Sequence, residues 1–211
     1  PLAELEEVWF LENLSKSHNV YEFIKRPIEI ILAILMAIVL LPLAVLLGLL
    51  VAATSKGPAL FQQKRSGRND QEFMIHKFRT MRADAEKNGP QWAKPNDNRT
   101  TLIGKLLRST HLDEIPQLIN VIRGDLSFVG PRPERPEFVA HLEKDVPYFE
   151  LRLLVRPGIT GWAQINYKYG ASVEDAYEKL QYDMYYLKNR SITLDFIILL
   201  RTVKYLFTNL K

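Results

Sequence analysis

The sequence predicts a mostly helical α/β protein that is attached to a membrane. Residues 30–53 form an uncharged, strongly apolar tract. Apolar residues recur at helical spacing within 101–122, 137–155 and 172–189, whereas Phe73-Met74-Ile75 has the character of a strand. The length of 211 residues suits one compact domain with accessory segments.

Composition excludes several classes of protein. The net charge of +4 is too small to indicate a nucleic-acid partner, and a mildly basic chain beside an apolar tract suits an anionic membrane surface better. The absence of cysteine excludes disulfides, thiolate nucleophiles and cysteine-ligated metals. The sequence contains no GxxxxGK[ST], GxGxxG, HExxH or DxD motif, which argues against P-loop, Rossmann and common metal-dependent sites.

The apolar tract is long enough to cross a membrane, but its centre and its flanks complicate that interpretation. A straight helix over 30–53 would be about 36 Å long, against a bilayer core of about 30 Å. Pro42 lies near its middle and is expected to break or kink the helix. Basic residues flank both ends, including Lys25 and Lys56, and basic residues favour the cytoplasmic side. The residues leave a single span and a re-entrant helix-break-helix both open, with the flanks favouring the second.

The chain divides into four predicted segments. Residues 1–24 are a linker with an amphipathic helix over 2–14, and 25–55 are the membrane segment. Residues 56–190 form a cytoplasmic domain that includes polar loops over 83–100 and 123–136. Residues 191–211 form an amphipathic helix that is too charged to span, and it either lies in the membrane interface or packs on the core.

Asp113 and Glu114 are the strongest acidic pair, at the predicted start of a helix after His111. The positive end of a helix dipole favours an ionised carboxylate, as a nucleophile or a magnesium ligand requires. Ordinary helix capping is the alternative explanation. Cations in or beside proline-stiffened segments add to the pattern, although each alone is compatible with a solvated surface charge: Lys77, Arg79, Arg108, Arg132 and Arg156. Since arginine binds phosphate oxygens bidentately, the set predicts a phosphate ligand with magnesium.

Five stretches in order resemble one family, from about residue 25 to the C-terminus. They are Lys25-Arg26-Pro27, Lys77-Phe78-Arg79-Thr80-Met81-Arg82, and the segments 107–118, 124–133 and 156–162. The sequence resembles the monotopic phosphoglycosyltransferases, the bacterial sugar transferases of capsule, exopolysaccharide and O-antigen synthesis.

The resemblance implies an α/β, mostly helical fold with a re-entrant membrane helix-break-helix and interfacial amphipathic helices around a small cytoplasmic catalytic domain. It implies a place at the cytoplasmic face of the bacterial inner membrane, in contact with membrane lipids. The implied substrates are a UDP-sugar and polyprenyl phosphate, with no nucleic acid. Asp113 matches the carboxylate that attacks the β-phosphate and releases UMP, forming an aspartyl phospho-sugar that polyprenyl phosphate then attacks.

The resemblance also assigns the surrounding residues. Glu114 matches the second member of the acidic dyad, and magnesium is expected at Asp113. Arg108, Arg132 and Arg156 match basic positions expected to bind phosphate or nucleotide, with Lys77 and Arg79 as further candidates.

Two features depart from the small family members. Leu41-Pro42 replaces their Ser-Pro, and residues 1–24 resemble the linker of long members. Because the chain starts with Pro1, we expect it to be part of a longer protein with further membrane spans. Two alternative functions are compatible with the sequence: a non-catalytic module that binds anionic lipid, and a hydrolase. The sugar and the oligomeric state, a homodimer included, stay open.

Overall fold

The computed structural model describes residues 19–82, 84, 85, 87, 89, 97–167 and 172–208. The predicted linker helix over 2–14 lies outside these residues and stays a prediction.

The first element is the helix α1, Asn19–Thr54, which contains both Pro27 and Pro42. It begins within the predicted linker and is helical throughout, so the predicted break at Pro42 is not an interruption of the helix. A proline removes one backbone donor, but neighbouring residues can keep helical geometry, as they often do in membrane helices. Within the described residues, Val20–Thr54 is the one helix long and apolar enough to cross a membrane.

One face of α1 packs on the rest of the protein on both sides of Pro42. Ala33, before the proline, is fully buried in the main core with Val121. Val51, after it, is buried with Phe78 and Leu107. The opposite face leaves large apolar side chains exposed over its whole length, among them Ile31, Ile38, Val39, Leu41, Val45 and Leu49.

Two small sheets follow α1. Strands β1, Leu60–Ser66, and β2, Glu72–Phe78, form an antiparallel hairpin. Strand β2 confirms the prediction made from Phe73-Met74-Ile75. Strands β3, Ser127–Val129, and β4, Gly158–Thr160, pair in parallel. Strand β3 lies where an irregular loop was predicted, because a three-residue strand among glycines and prolines leaves little periodic signal.

The remaining elements are mainly helical, as predicted. In chain order they are α2, Leu102–Ser109; a 3₁₀ helix, Leu112–Gln117; α3, Leu118–Arg123; α4, Pro136–Asp145; a 3₁₀ helix, Phe149–Leu154; α5, Trp162–Asn166; α6, Val173–Asn189; and α7, Ile192–Thr208. The predicted end of one helix near His111 and the start of another at about Asp113 agree with the gap between α2 and the first 3₁₀ helix.

Helix α7 combines the two alternatives that the sequence left open. Ile198 is fully buried in the main core, so part of α7 packs like an ordinary terminal helix. Phe196, Leu200 and Val203 are exposed. A row of exposed apolar side chains beside a packed face is consistent with an interfacial helix, which stays a prediction.

A buried polar cluster fastens the start of α1 to the domain. The Lys25 ammonium lies 2.8 Å from an Asp195 carboxylate oxygen and donates to the Val129 carbonyl oxygen at 2.9 Å. The hydroxyls of Tyr21 and Tyr186 donate to the two oxygens of Asp195 at 2.6 and 2.9 Å. The first residue of the Lys25-Arg26-Pro27 motif therefore joins α1 to β3, α6 and α7.

Candidate active site

Asp113 lies in the first turn of the 3₁₀ helix Leu112–Gln117, with only 7% of its surface exposed. His111 precedes this turn at a φ of 55°, a left-handed conformation that is uncommon outside glycine. Packing holds this turn in place, because Leu112 and Ile115 contact the apolar cluster that contains Val51. Among the described residues, no side chain or backbone N–H donates a hydrogen bond to the Asp113 carboxylate.

Glu114 faces two cations. Its Oε1 accepts a hydrogen bond from Lys77 Nζ at 2.7 Å and another from Arg132 Nη2 at 3.2 Å. Lys77 comes from β2 and Arg132 from the proline-rich loop after β3. The dyad is therefore asymmetric, since Glu114 is held by salt bridges and Asp113 is not.

The two carboxyl groups differ in electrostatics as well. Burial raises the pKa of Asp113, the adjacent Glu114 raises it further, and Lys77, Arg108 and His111 only partly oppose the rise. Burial would also raise the pKa of Glu114, but Lys77 and Arg132 outweigh it and hold that pKa well below its usual range. The helix start considered in the sequence is therefore not the largest influence on Asp113, since burial and Glu114 raise its pKa, and its ionised state in catalysis stays a prediction.

The ion pair between Lys77 and Glu114 does not act equally on its two members. Burial and the charge of Arg132 together lower the pKa of Lys77 by more than Glu114 and Asp113 raise it. Both side chains are largely buried, with 17% and 13% exposed. We take the pair as ionised, because Glu114 holds a second cation and the two groups are only 2.7 Å apart.

Arg108 approaches the dyad from α2. Its Nε donates to Thr80 Oγ1 at 2.9 Å, and its Nη1 lies 3.5 Å from Thr100 Oγ1. Its charge lowers the pKa of Asp113. Three of the five predicted cations, Lys77, Arg108 and Arg132, therefore gather around the dyad.

The other two predicted cations lie elsewhere, at the two ends of α1. Arg79 Nη2 donates to both the carbonyl oxygen and the hydroxyl of Ser55 at 2.7 Å, just beyond the end of α1. Arg156 Nη1 pairs with Glu22 Oε2 at 2.9 Å, in the first turn of α1. Both arginines hold this helix, and their predicted contact with substrate stays a prediction.

The described residues could hold the predicted magnesium ion only together with substrate phosphates and water. Among the described residues, no group of three or more histidines and carboxylates lies together, so the protein offers no complete cage. Magnesium is commonly held by one or two carboxylates together with substrate phosphates and water. Asp113, whose carboxylate has no hydrogen-bond donor in the described structure, suits such a site, whereas Glu114 Oε1 already serves two cations.

The sequence did not single out Thr80 or Glu22, although both position predicted arginines. Thr80 follows the strand β2 within a basic motif, where one hydroxyl gives no periodic signal. Glu22 precedes Lys25 and Arg26 at helical spacing before an apolar tract. Acidic residues at that point are a usable sign of buried pairing, because charges beside a membrane tract are costly unless paired.

Comparison with known proteins identifies the family. The bacterial sugar transferase model matches residues 20–209. A UDP-N-acetylgalactosamine-undecaprenyl-phosphate N-acetylgalactosaminephosphotransferase of Aeromonas hydrophila is 40% identical over 189 residues, which are 90% of this chain and 45% of that protein. A UDP-glucose:undecaprenyl-phosphate glucose-1-phosphate transferase of Xanthomonas campestris pv. campestris is 40% identical over 175 residues, 82% of this chain and 36% of that protein.

A third relative is of similar length to this chain. The exopolysaccharide production protein PSS of Rhizobium leguminosarum bv. phaseoli is 38% identical over 186 residues, 85% of this chain and 93% of that protein. The chain spans less than half the length of the first two relatives. The match to the family model covers the acidic dyad and all but the first residue of α1, and the chain belongs to the bacterial sugar transferase family.

Proposed function

We propose that this protein transfers a phospho-sugar from a UDP-sugar to a polyprenyl phosphate at a membrane surface. The observation that carries the proposal is the buried carboxylate of Asp113, without a hydrogen-bond donor among the described residues and surrounded by Lys77, Arg108 and Arg132. Such a carboxylate is available as a nucleophile, and the cations suit a diphosphate. The names of the relatives, which combine UDP-sugars with undecaprenyl phosphate, support the two substrate classes.

In the first step, an oxygen of Asp113 attacks the β-phosphorus of the UDP-sugar. The bond from that phosphorus to the bridging oxygen breaks, and UMP leaves with the electron pair. The phospho-sugar stays on Asp113 as an acyl phosphate, and the step needs no proton. Arg108 and Arg132 are placed to bind the phosphate oxygens, since guanidinium groups match them bidentately.

In the second step, a phosphate oxygen of the polyprenyl phosphate attacks the same phosphorus and releases the Asp113 carboxylate. Glu114 contributes by holding Lys77 and Arg132 in place, so that these cations need not reorganise during either step. Asp113 would hold a magnesium ion, which supplies further neutralisation of phosphate charge when bound.

We place the acceptor's membrane at the exposed apolar face of α1. Lys25 fixes the start of this helix to the domain, and Arg79 fixes the loop directly after its end. Because one domain holds both ends, the contacts favour an arrangement in which the two ends of α1 lie on the same side of the membrane. We propose that this side is the cytoplasmic face of the inner membrane. Leu102 and Leu106 on α2 are also exposed and offer a further apolar surface.

The test measures UMP release and intact mass in parallel. With UDP-sugar and no acceptor, the wild type should gain the mass of one phospho-sugar, and Asp113→Asn should gain none. Asp113→Asn should also lose turnover by several orders of magnitude, as removal of covalent nucleophiles usually does. Asp145→Asn is the matched control, because Asp145 is an exposed carboxylate on α4, and it should behave as the wild type.

Three results would contradict the proposal. An adduct on another residue, or appreciable turnover by Asp113→Asn, would leave Asp113 as a ligand in a direct transfer. UMP release without any lipid product would indicate the hydrolase. No UMP release from a panel of UDP-sugars, with vesicle binding intact, would indicate the non-catalytic lipid-binding module. The same panel identifies the sugar.

A further inference from the structure

We propose that Thr80 is a positioning residue that aims the Arg108 guanidinium at the substrate phosphates. The inference rests on the proposed function, because it assumes that Arg108 binds the UDP-sugar. Thr80 itself touches no reacting atom, and it acts through Arg108.

The contact is specific and buried. Thr80 is only 6% exposed, and its hydroxyl accepts a hydrogen bond from Arg108 Nε at 2.9 Å. A hydrogen bond at Nε fixes the plane of the guanidinium group and leaves its two terminal nitrogens available for other contacts. Of these, Nη1 makes only a 3.5 Å contact to Thr100, and Nη2 makes none with the described residues. The Nη edge is therefore the one presented to an anion, and it can bind two phosphate oxygens.

The backbone around Thr80 holds this geometry rigidly. The Thr80 carbonyl oxygen accepts from the Thr101 backbone N–H at 2.9 Å, just before α2 starts. Gly104, the third residue of α2, lies so close that an added Cβ would be 2.0 Å from the same carbonyl oxygen. Only glycine allows this approach, and Arg108 follows four residues later, about one helical turn along the same face. The packing of α2 on Thr80 thus sets the reach of Arg108.

A fixed guanidinium plane matters for rate. A mobile arginine must lose rotamer freedom each time substrate binds, whereas a fixed one has lost it on folding. Thr80→Val removes the hydroxyl and keeps the shape, and Thr80→Ser keeps the hydroxyl. We expect Thr80→Val to lower kcat/KM for the UDP-sugar by about tenfold, as loss of one hydrogen bond to a charged group does, and Thr80→Ser to restore most of it.

The decisive measurement combines Thr80→Val with Arg108→Ala. If Thr80 acts through Arg108, Thr80→Val should cost nothing further in the Arg108→Ala background, whereas a merely structural role would keep its full cost there. Thr202→Val is the matched control. Thr202 lies on α7, and this change also removes a threonine hydroxyl that makes a side-chain hydrogen bond, here to Thr160 at 2.8 Å. That control should have normal kcat/KM.

UDP binding, measured by calorimetry in magnesium buffer, separates this inference from the proposed function. Weaker UDP binding by Thr80→Val that Thr80→Ser restores would support the positioning role. This would hold even if the wild type released no UMP, because absence of UMP release would contradict only the proposed function. Normal activity and normal UDP binding by Thr80→Val would overturn the positioning role of Thr80. The proposed function would be unaffected by that result, provided that the wild type turns over. Additive costs in the double variant would also overturn it, and a wild type that does not bind UDP would overturn both.

Discussion

Replacing Glu114 by glutamine tests whether this residue organises cations or takes part in chemistry itself. Its carboxylate bonds Lys77 at 2.7 Å and Arg132 at 3.2 Å through one oxygen. A glutamine of the same size keeps the packing but removes the charge. Both cations then lose their shared partner, and their mutual repulsion moves them away from the positions that face Asp113.

The expected loss follows from the two contacts. A hydrogen bond to a charged group contributes about 1.5–3 kcal/mol. The bond to Lys77 is largely buried and keeps that value, whereas Arg132 is 45% exposed, so solvent screening reduces its share. A total of about 2–3 kcal/mol corresponds to a decrease of roughly 30- to 150-fold in kcat/KM. This is far smaller than the loss expected for Asp113→Asn.

The pH profile provides a second, independent readout. Asp113 attacks as a carboxylate, so wild-type activity is lost as the pH falls through its pKa, which burial and then Glu114 raise. Glu114 is ionised over that range, because Lys77 and Arg132 keep its pKa low despite burial. Removing its charge removes one cause of the raised pKa of Asp113. The acid limb of kcat/KM against pH should therefore move to lower pH in Glu114→Gln.

The assay is UMP release over a pH series, with Glu134→Gln as the control. Glu134 lies in the same loop as Arg132 and is 3.9 Å from Arg65, so its loss should change kcat/KM by less than about twofold. Wild-type activity in Glu114→Gln would refute the organising role. An acid limb that moves to higher pH would refute the electrostatic reasoning, and loss as complete as in Asp113→Asn would assign Glu114 to the chemistry.

Three further predictions concern the frame of the site. Lys25→Met should destabilise the protein by about 3–5 kcal/mol in thermal unfolding, because it leaves the buried Asp195 carboxylate without its cation, and a second change of Asp195 to leucine should recover most of that; no recovery would contradict the pairing argument. Phe23→Cys and Lys56→Cys, both exposed, should react with the same impermeant reagent from the cytoplasmic side, whereas labelling from opposite sides would establish a single span. Arg108→Ala should lower kcat/KM about 100-fold with unchanged thermal stability, and Arg108→Lys should recover only part of it because lysine lacks the bidentate fork; near-normal activity in the alanine variant would make Arg108 a surface charge.

The sequence was most informative where the signal is local. The start of a helical turn at Asp113 follows from the residues around it, and the structure confirms that placement. The balance of charges at Asp113 does not follow, because burial depends on which distant elements cover the turn. Local pattern suggests a helix dipole, whereas burial of Asp113 and the charge of Glu114 raise its pKa.

Long-range pairing is the main feature that the sequence could not provide. Arg156 and Glu22 are far apart in sequence, and nothing near either residue indicates the other. Arginine in a stiff loop predicts an anionic partner, but it does not distinguish a substrate phosphate from a carboxylate on another helix. The same ambiguity applies to Arg79, whose partner is Ser55.

Polar contacts at the two ends of α1 explain how this apolar helix keeps a fixed position relative to the candidate active site. Apolar contacts such as Ala33 with Val121 stabilise the packing but tolerate sliding, because they have no directional requirement. Lys25 and Arg79 do have such a requirement, since each must reach specific oxygens at opposite ends of the helix. A buried ion pair such as that of Lys25 with Asp195 adds little net stability when compared with apolar packing, and its best-attested use is to fix register, whereas Arg79 is held by two hydrogen bonds to Ser55. We therefore interpret these two residues as setting the position of α1 along the domain that carries Asp113.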